Sequence, residues 1–156
     1  MKPVQLILAA CCMAMATATY AATHYVSPSG THEPPYTSWA TAATNIQDAV
    51  DVATNGSTVV VTNGTYALKS QVLVTNGITL ASVNGRELSV ITGSSTARCV
   101  CLMHSNAVLR GFTVRGGHAL DGAGVYIYSG GRVEDCTLKT NRTDVYYGGL
   151  GAAIHV

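Results

Sequence analysis

Four acids in this chain have the chemistry to act on a sugar: Asp121, Glu134, Asp135 and Asp144. Hydrolysis of a glycosidic bond needs two carboxyl groups, one protonating the leaving oxygen and one serving the opposite side of the ring. These four fall at expected corners or on an outward strand face, where solvated acids are ordinary, so none is assigned a catalytic role. Calcium could sit at Asp135 or Asp144, but no ligand spacing accompanies either, and no metal or other cofactor is expected. His104, His118 and His155 share no metal-ligand spacing and read as turn or surface residues. Gly148-Gly149-Leu150-Gly151 reads as a corner rather than a phosphate loop, because no strand-to-helix transition follows it.

One surface pattern carries more. Tyr126 and Tyr128 alternate with Val125 and Ile127, so both tyrosines face outward if the aliphatic residues face in. Val100 and His155 are expected in the columns beside Tyr126, with Tyr146 and Tyr147 in the following loop. An aromatic row on a sheet face suits stacking against sugar rings, although tyrosine is also simply a good strand residue. The candidate glycan-binding residues are therefore Tyr126, Tyr128 and His155.

The elements that must position these residues follow from an internal repeat. Thr96-Ala97-Arg98-Cys99-Val100-Cys101 aligns with Gly122-Ala123-Gly124-Val125-Tyr126-Ile127 at an offset of 26, and again with Gly151 to Val156 at 29. Leu109 to Arg115 aligns with Val133 to Lys139 at an offset of 24. Each unit of about 25 residues is expected to hold two short strands between Gly and Asn corners, and Thr-Asn-Gly punctuates the early ones at 54–56, 62–64 and 75–77. One unit cannot bury its apolar positions, whereas stacked units can. The expected interior columns are Cys99/Val125/Ile154, Cys101/Ile127/Val156, Leu109/Val133, Phe112/Cys136 and Val114/Leu138, with Arg110 beside Glu134 outside. An exposed pair of that kind is worth under about 1 kcal/mol.

Composition agrees with this reading. The chain has 156 residues, 47% apolar and 11% charged, too few charges for a long disordered tail. Threonine and valine are abundant while the strong helix formers are scarce, which favours β structure. A net charge of +1 leaves no electrostatic footprint for nucleic acid.

Residues 1–22 read as an export signal. Lys2 is followed by an apolar run from Leu6 to Ala18 and by small residues at Thr19-Tyr20-Ala21-Ala22, too short a segment to span a membrane. Cleavage is expected after Ala21 or Ala22, giving a secreted or cell-surface protein with no membrane span in its mature part. Leu8-Ala9-Ala10-Cys11 offers a minor alternative, a lipoprotein acylated at Cys11. Without the signal, Cys99, Cys101 and Cys136 remain, so at most one internal disulfide is available. Cys99 and Cys101 are expected to share a strand face as small core residues.

Residues 23–57 hold an opening strand around Tyr25-Val26, a turn-rich loop with Trp39 as an aromatic anchor, and one helix. Thr44 with Gln47 predicts a capping box. Ile46, Ala49, Val50 and Ala53 form a single apolar stripe that ends at Asn55-Gly56. Coils are expected to occupy residues 58–156. The last is expected to be incomplete, with an open edge that invites end-to-end self-association.

Tyr25 to Gly30, Ser38-Trp39-Ala40, Ile46 to Val50, Thr58 to Tyr66, Val108 to Val114 and Gly130 to Leu138 resemble the opening and the coils of bacterial right-handed parallel β-helix proteins of the pectin-lyase-like group. The resemblance spans residues 23–156. It implies an all-β right-handed solenoid, with the helix of residues 44–54 plugging its N-terminal end. The group's polysaccharide hydrolases would show an Asn-Thr-Asp run and a Gly-His-Gly, which Asn141-Arg142-Thr143-Asp144 and Gly117-His118-Ala119 do not match. The fold carries many functions. Three readings follow: a non-catalytic exported scaffold that binds polysaccharide or surface glycan; the N-terminal part of a polysaccharide lyase or glycoside hydrolase whose catalytic residues would lie in later coils; and a structural stalk or adhesin passenger.

Overall fold

The protein is described from a computed structural model, covering residues 21–94, 96–144 and 150–156. The segment expected to be an export signal, with Cys11, and the pair Tyr146 and Tyr147 lie outside the described residues, apart from Ala21 and Ala22. The fold is all-β, a parallel solenoid of about four turns. An opening strand, β1 (Thr23–Val26), and one helix, α1 (Ile46–Val52), precede the coils. The first coil is β2 (Thr58–Val61), β3 (Gly64–Ala67) and β4 (Val72–Val74). The second is β5 (Thr79–Ser82), β6 (Ser89–Thr92) and β7 (Val100–Leu102). The third is β8 (Val108–Arg110), β9 (Thr113–Arg115), β10 (His118–Ala119) and β11 (Val125–Ile127). The fourth is β12 (Arg132–Glu134), β13 (Thr137–Lys139), β14 (Arg142–Thr143) and β15 (Ile154–His155).

Every strand pairs in parallel with its counterpart one coil away. The first sheet runs β1-β2-β5-β8-β12, the second β3-β6-β9-β13, the third β4-β7-β11-β15, and β10 pairs with β14. Pleating then sorts the side chains. Val59, Leu80, Leu109 and Val133 stack in one inward column of the first sheet, and Tyr66, Ile91, Val114 and Leu138 in one of the second. Phe112 is fully buried and its N–H approaches Cys136 Sγ at 3.4 Å, so these two also stack between coils. Burying one such side chain fully is worth roughly 1.5–3 kcal/mol, a gain each column repeats through the third coil, while Val133, Cys136 and Leu138 of the fourth are partly buried.

The third sheet differs from its expected register by one residue. Val100, not Cys99, pairs with Val125 and through it with Ile154, and Leu102, not Cys101, pairs with Ile127. Val72 and Val74 extend the same two columns to the first coil. Cys99 is fully buried at the corner before β7, while Cys101 lies on the outward column, so the two do not share a face as expected. On the first sheet Arg110 does sit beside Glu134 in register, but Glu134 pairs with Arg132 at 3.2 Å instead, a partner two residues away on its own strand.

The helix is shorter than expected. Asn45, not Thr44, is the N-cap, and its side-chain oxygen accepts from the Asp48 N–H at 3.0 Å. The Thr44 N–H instead donates to His32 Nδ1 at 3.0 Å. Ile46, Ala49 and Val50 are buried, and the helix lies against β1, β2 and β4. Gln47, expected in the capping box, reaches β4: its Oε1 accepts from the Leu73 N–H at 2.8 Å and its Nε2 meets the Leu73 carbonyl at 3.2 Å. Because β4 ends its sheet, this amide satisfies strand groups that lack a strand partner.

The corners repeat as well. Gly111 and Asp135 both adopt positive φ (78° and 49°), as do Gly116 and Thr140 (71° and 53°). Each pair is 24 residues apart, one coil. Glycine adopts this backbone freely, whereas a β-branched threonine is strained there.

Candidate functional site

The outward face of the third sheet is built from the same pleat that fills the core. Leu73, Cys101, Tyr126 and His155 form one outward column, so Cys101, rather than Val100, flanks Tyr126 on the side opposite His155. The Tyr128 N–H donates to the Leu102 carbonyl at 2.9 Å, which carries the ladder one residue past β11 and sets Tyr128 beside Met103. Cys101 Sγ lies 3.5 Å from Met103 Sδ. The face is therefore aliphatic and sulfur-rich at the early coils and aromatic at the later ones.

Tyr126 is held on both sides. The His155 ring stacks on it with centroids 5.2 Å apart and planes 19° from parallel. The Arg98 guanidinium, from the coil before, lies 4.4 Å from the Tyr126 ring centroid. β11 stands between β7 and β15, so these contacts come from neighbouring coils in opposite directions. Tyr128, by contrast, is 68% exposed, with its centroid 6.4 Å from that of Tyr126. The three residues singled out in the sequence thus meet on one face. Tyr126 fixes the arrangement, Tyr128 offers open ring surface, and Arg98 joins them unforeseen. Its signal was there: Arg98 precedes β7 by two residues, where a long side chain can reach along the axis.

A second cluster was not foreseen. His118 Nε2 lies 2.9 Å from Asp144 Oδ1, a pair brought together because they are 26 residues apart, about one coil. His118 lines a cavity of about 270 Å³ with Gly116, Gly117, Thr140 and Arg142. The sequence signal would have been their one-coil separation, since neither residue belongs to a local motif. The Asn141 amide joins two coils: its Oδ1 accepts from the Gly117 N–H at 3.0 Å and its Nδ2 donates to the Val114 carbonyl at 3.1 Å. Asn141 is thus a structural staple, although it also opens an Asn-Arg-Thr glycosylation pattern.

The other acids are engaged separately. Asp121 Oδ1 accepts from the Leu150 N–H at 2.8 Å, and Glu134 pairs with Arg132. Among the described residues, no group of three or more His, Cys, Asp or Glu is arranged to hold a metal ion. Burial pushes the Cys99 thiol up to about 11, against the opposing effect of a backbone hydrogen bond at Gly93. Burial likewise raises the Cys136 thiol. Both are protonated, weakly nucleophilic core residues at neutral pH. Among the described residues, no helix is long and apolar enough to cross a membrane. No protein-family model, curated protein or solved structure matches the chain.

Proposed function

We propose that this chain is an exported, non-catalytic scaffold that binds glycans on the outward face of its third sheet. The observation that supports this most directly is the exposed Tyr128 ring beside the fixed Arg98–Tyr126–His155 stack. A sugar ring has apolar C–H faces and polar hydroxyl edges. Tyr128 suits the first, while the Tyr126 hydroxyl and the nitrogen atoms of Arg98 and His155 suit the second. Equivalent positions on neighbouring coils stand about 4.8 Å apart, so an extended glycan could run along the solenoid axis. One ring stacked on one tyrosine adds only about 0.5–1.5 kcal/mol beyond area burial, so binding is weak unless it is multivalent. The resemblance to bacterial right-handed pectin-lyase-like solenoids belongs to this reading, and the apolar, small-residue character of residues 1–22 supports a location at or beyond the cell surface.

The test is calorimetry and pull-down against a glycan panel, using the mature chain and a Tyr126→Ala/Tyr128→Ala variant. The reading expects binding by the first and loss in the second. Equal binding by both removes this face as the site, and no binding by either at millimolar glycan leaves the structural-stalk reading ahead.

One observation favours a second reading, a polysaccharide lyase or glycoside hydrolase with reactive groups in this chain. His118 lines an open cavity with Arg142, and its Nε2 lies 2.9 Å from Asp144 Oδ1. Cleavage of a polysaccharide that is abolished by His118→Ala would support it.

A further inference from the structure

We infer that a groove beside Trp39, away from the tyrosine face, is a binding site for a neutral hexopyranose. The groove lies where the opening loop meets the corners after β2 and β5. It has a volume of about 710 Å³, and its lining includes Trp39, Val83, Asn63, Asn84, Ser29 and Thr62. Two apolar side chains are left open to solvent in it: Trp39 is 43% exposed and Val83 46%. Trp39 is not loose. Tyr25 packs against it with ring centroids 4.4 Å apart at 65°, so the indole keeps its orientation while part of its surface stays uncovered.

The polar groups come from the coil repeat. Asn63 and Asn84 follow β2 and β5 at equivalent corners, 21 residues apart. Asn84 Nδ2 donates to Asn63 Oδ1 at 2.9 Å, which sets the two amides side by side at the surface. That bond uses one donor and one acceptor. Asn63 Nδ2 and Asn84 Oδ1 are left with no protein partner among the described residues. The groove therefore presents a donor group and an acceptor beside an aromatic surface. A pyranose has the matching parts: a C–H face for the indole and hydroxyls that both donate and accept.

The chemistry also sets the class of sugar. None of the lining residues carries a charge. A uronate would bring a carboxylate to neutral amides and hydroxyls, with no cation in the lining to offset its desolvation. Neutral sugars lose nothing of that kind. This site is independent of the tyrosine-face reading, and its test is independent as well.

The chain has a single tryptophan, so intrinsic tryptophan emission reports on this groove alone. The folded protein is titrated with cellobiose, lactose and maltose, and with digalacturonate as the acidic comparison. The expected result is a saturable emission change with at least one neutral disaccharide at millimolar concentration. It should weaken at least tenfold in Asn84→Ala and Asn63→Ala, persist in Tyr126→Ala/Tyr128→Ala, and exceed the response to digalacturonate. Far-ultraviolet circular dichroism shows that each variant is folded. No response to any neutral disaccharide overturns the inference, as does an unchanged affinity in both folded asparagine variants or a preference for digalacturonate.

Discussion

The side-chain amide of Gln47 binds the backbone of Leu73 through both of its atoms, as a neighbouring strand would. One helical residue thus completes part of the end strand of the third sheet. Gln47→Ala should destabilise the protein by about 1–3 kcal/mol, because it leaves a part-buried N–H and carbonyl without partners. Gln47→Glu keeps an acceptor for the N–H but sets a carboxylate against the carbonyl. Protonation restores a donor and is favoured in the folded state, so the variant's stability should rise as pH falls into the carboxylate range. Urea unfolding across pH measures both effects, and a flat pH profile for Gln47→Glu would count against the contact.

Ile46 is 1% exposed and belongs to the core cluster shared with the coils. Ile46→Asp puts a charge on the packed face of α1 and should cost several kcal/mol, or else undock the helix. A thermal melt decides this: an unchanged midpoint would mean that the helix does not support the coils.

Thr140 holds φ at 53°, where the equivalent residue of the preceding coil is Gly116. Thr140→Gly should therefore stabilise the fold by up to about 1–2 kcal/mol, relieving a left-handed backbone that branched residues avoid. The same change at the extended Thr137 should destabilise it, since glycine weakens a strand. Equilibrium unfolding of the two variants should move in opposite directions.

Cys99 gives the protein an alkaline limit. Its folded pKa is raised to about 11 by burial, above the ordinary value near 9. The unfolded chain therefore loses this proton first as pH rises. The stabilisation is complete below the unfolded pKa and is lost progressively as pH rises through the folded one. Stability should fall from about pH 8.5 upward. A Cys99→Ala variant, once its own loss of packing is subtracted, should show a shallower decline.

The repeat, the parallel sheets and most of the inward columns were legible because alternation of period 2 survives in strands such as Val125-Tyr126-Ile127. The register of β7 was not, for a physical reason. Cys99, Val100, Cys101 and Leu102 are all buried, so alternation vanishes there and nothing local fixes the phase of the strand. The N-cap was misplaced by one because Thr44 and Asn45 are both good caps, and only the contact between Thr44 and His32 separates them. Tyr126, Tyr128 and His155 could be placed on one face from pleating alone. The contact of Arg98 with Tyr126 and the joining of His118 to Asp144 left only a spacing as their signal, and the groove at Trp39 left none, because each depends on how corners and loops stack between coils.

The ladders of the three main sheets all run along one direction, from coil to coil. Tension applied along that direction pulls on each ladder along its hydrogen bonds. Between adjacent coils the ladders of all three sheets stand side by side, so they share the load. A junction separates only when every one of them yields, and the side chains interleaved inside must part in the same event. The molecule should extend under axial force in discrete steps of whole coils, starting at whichever junction has the fewest paired residues.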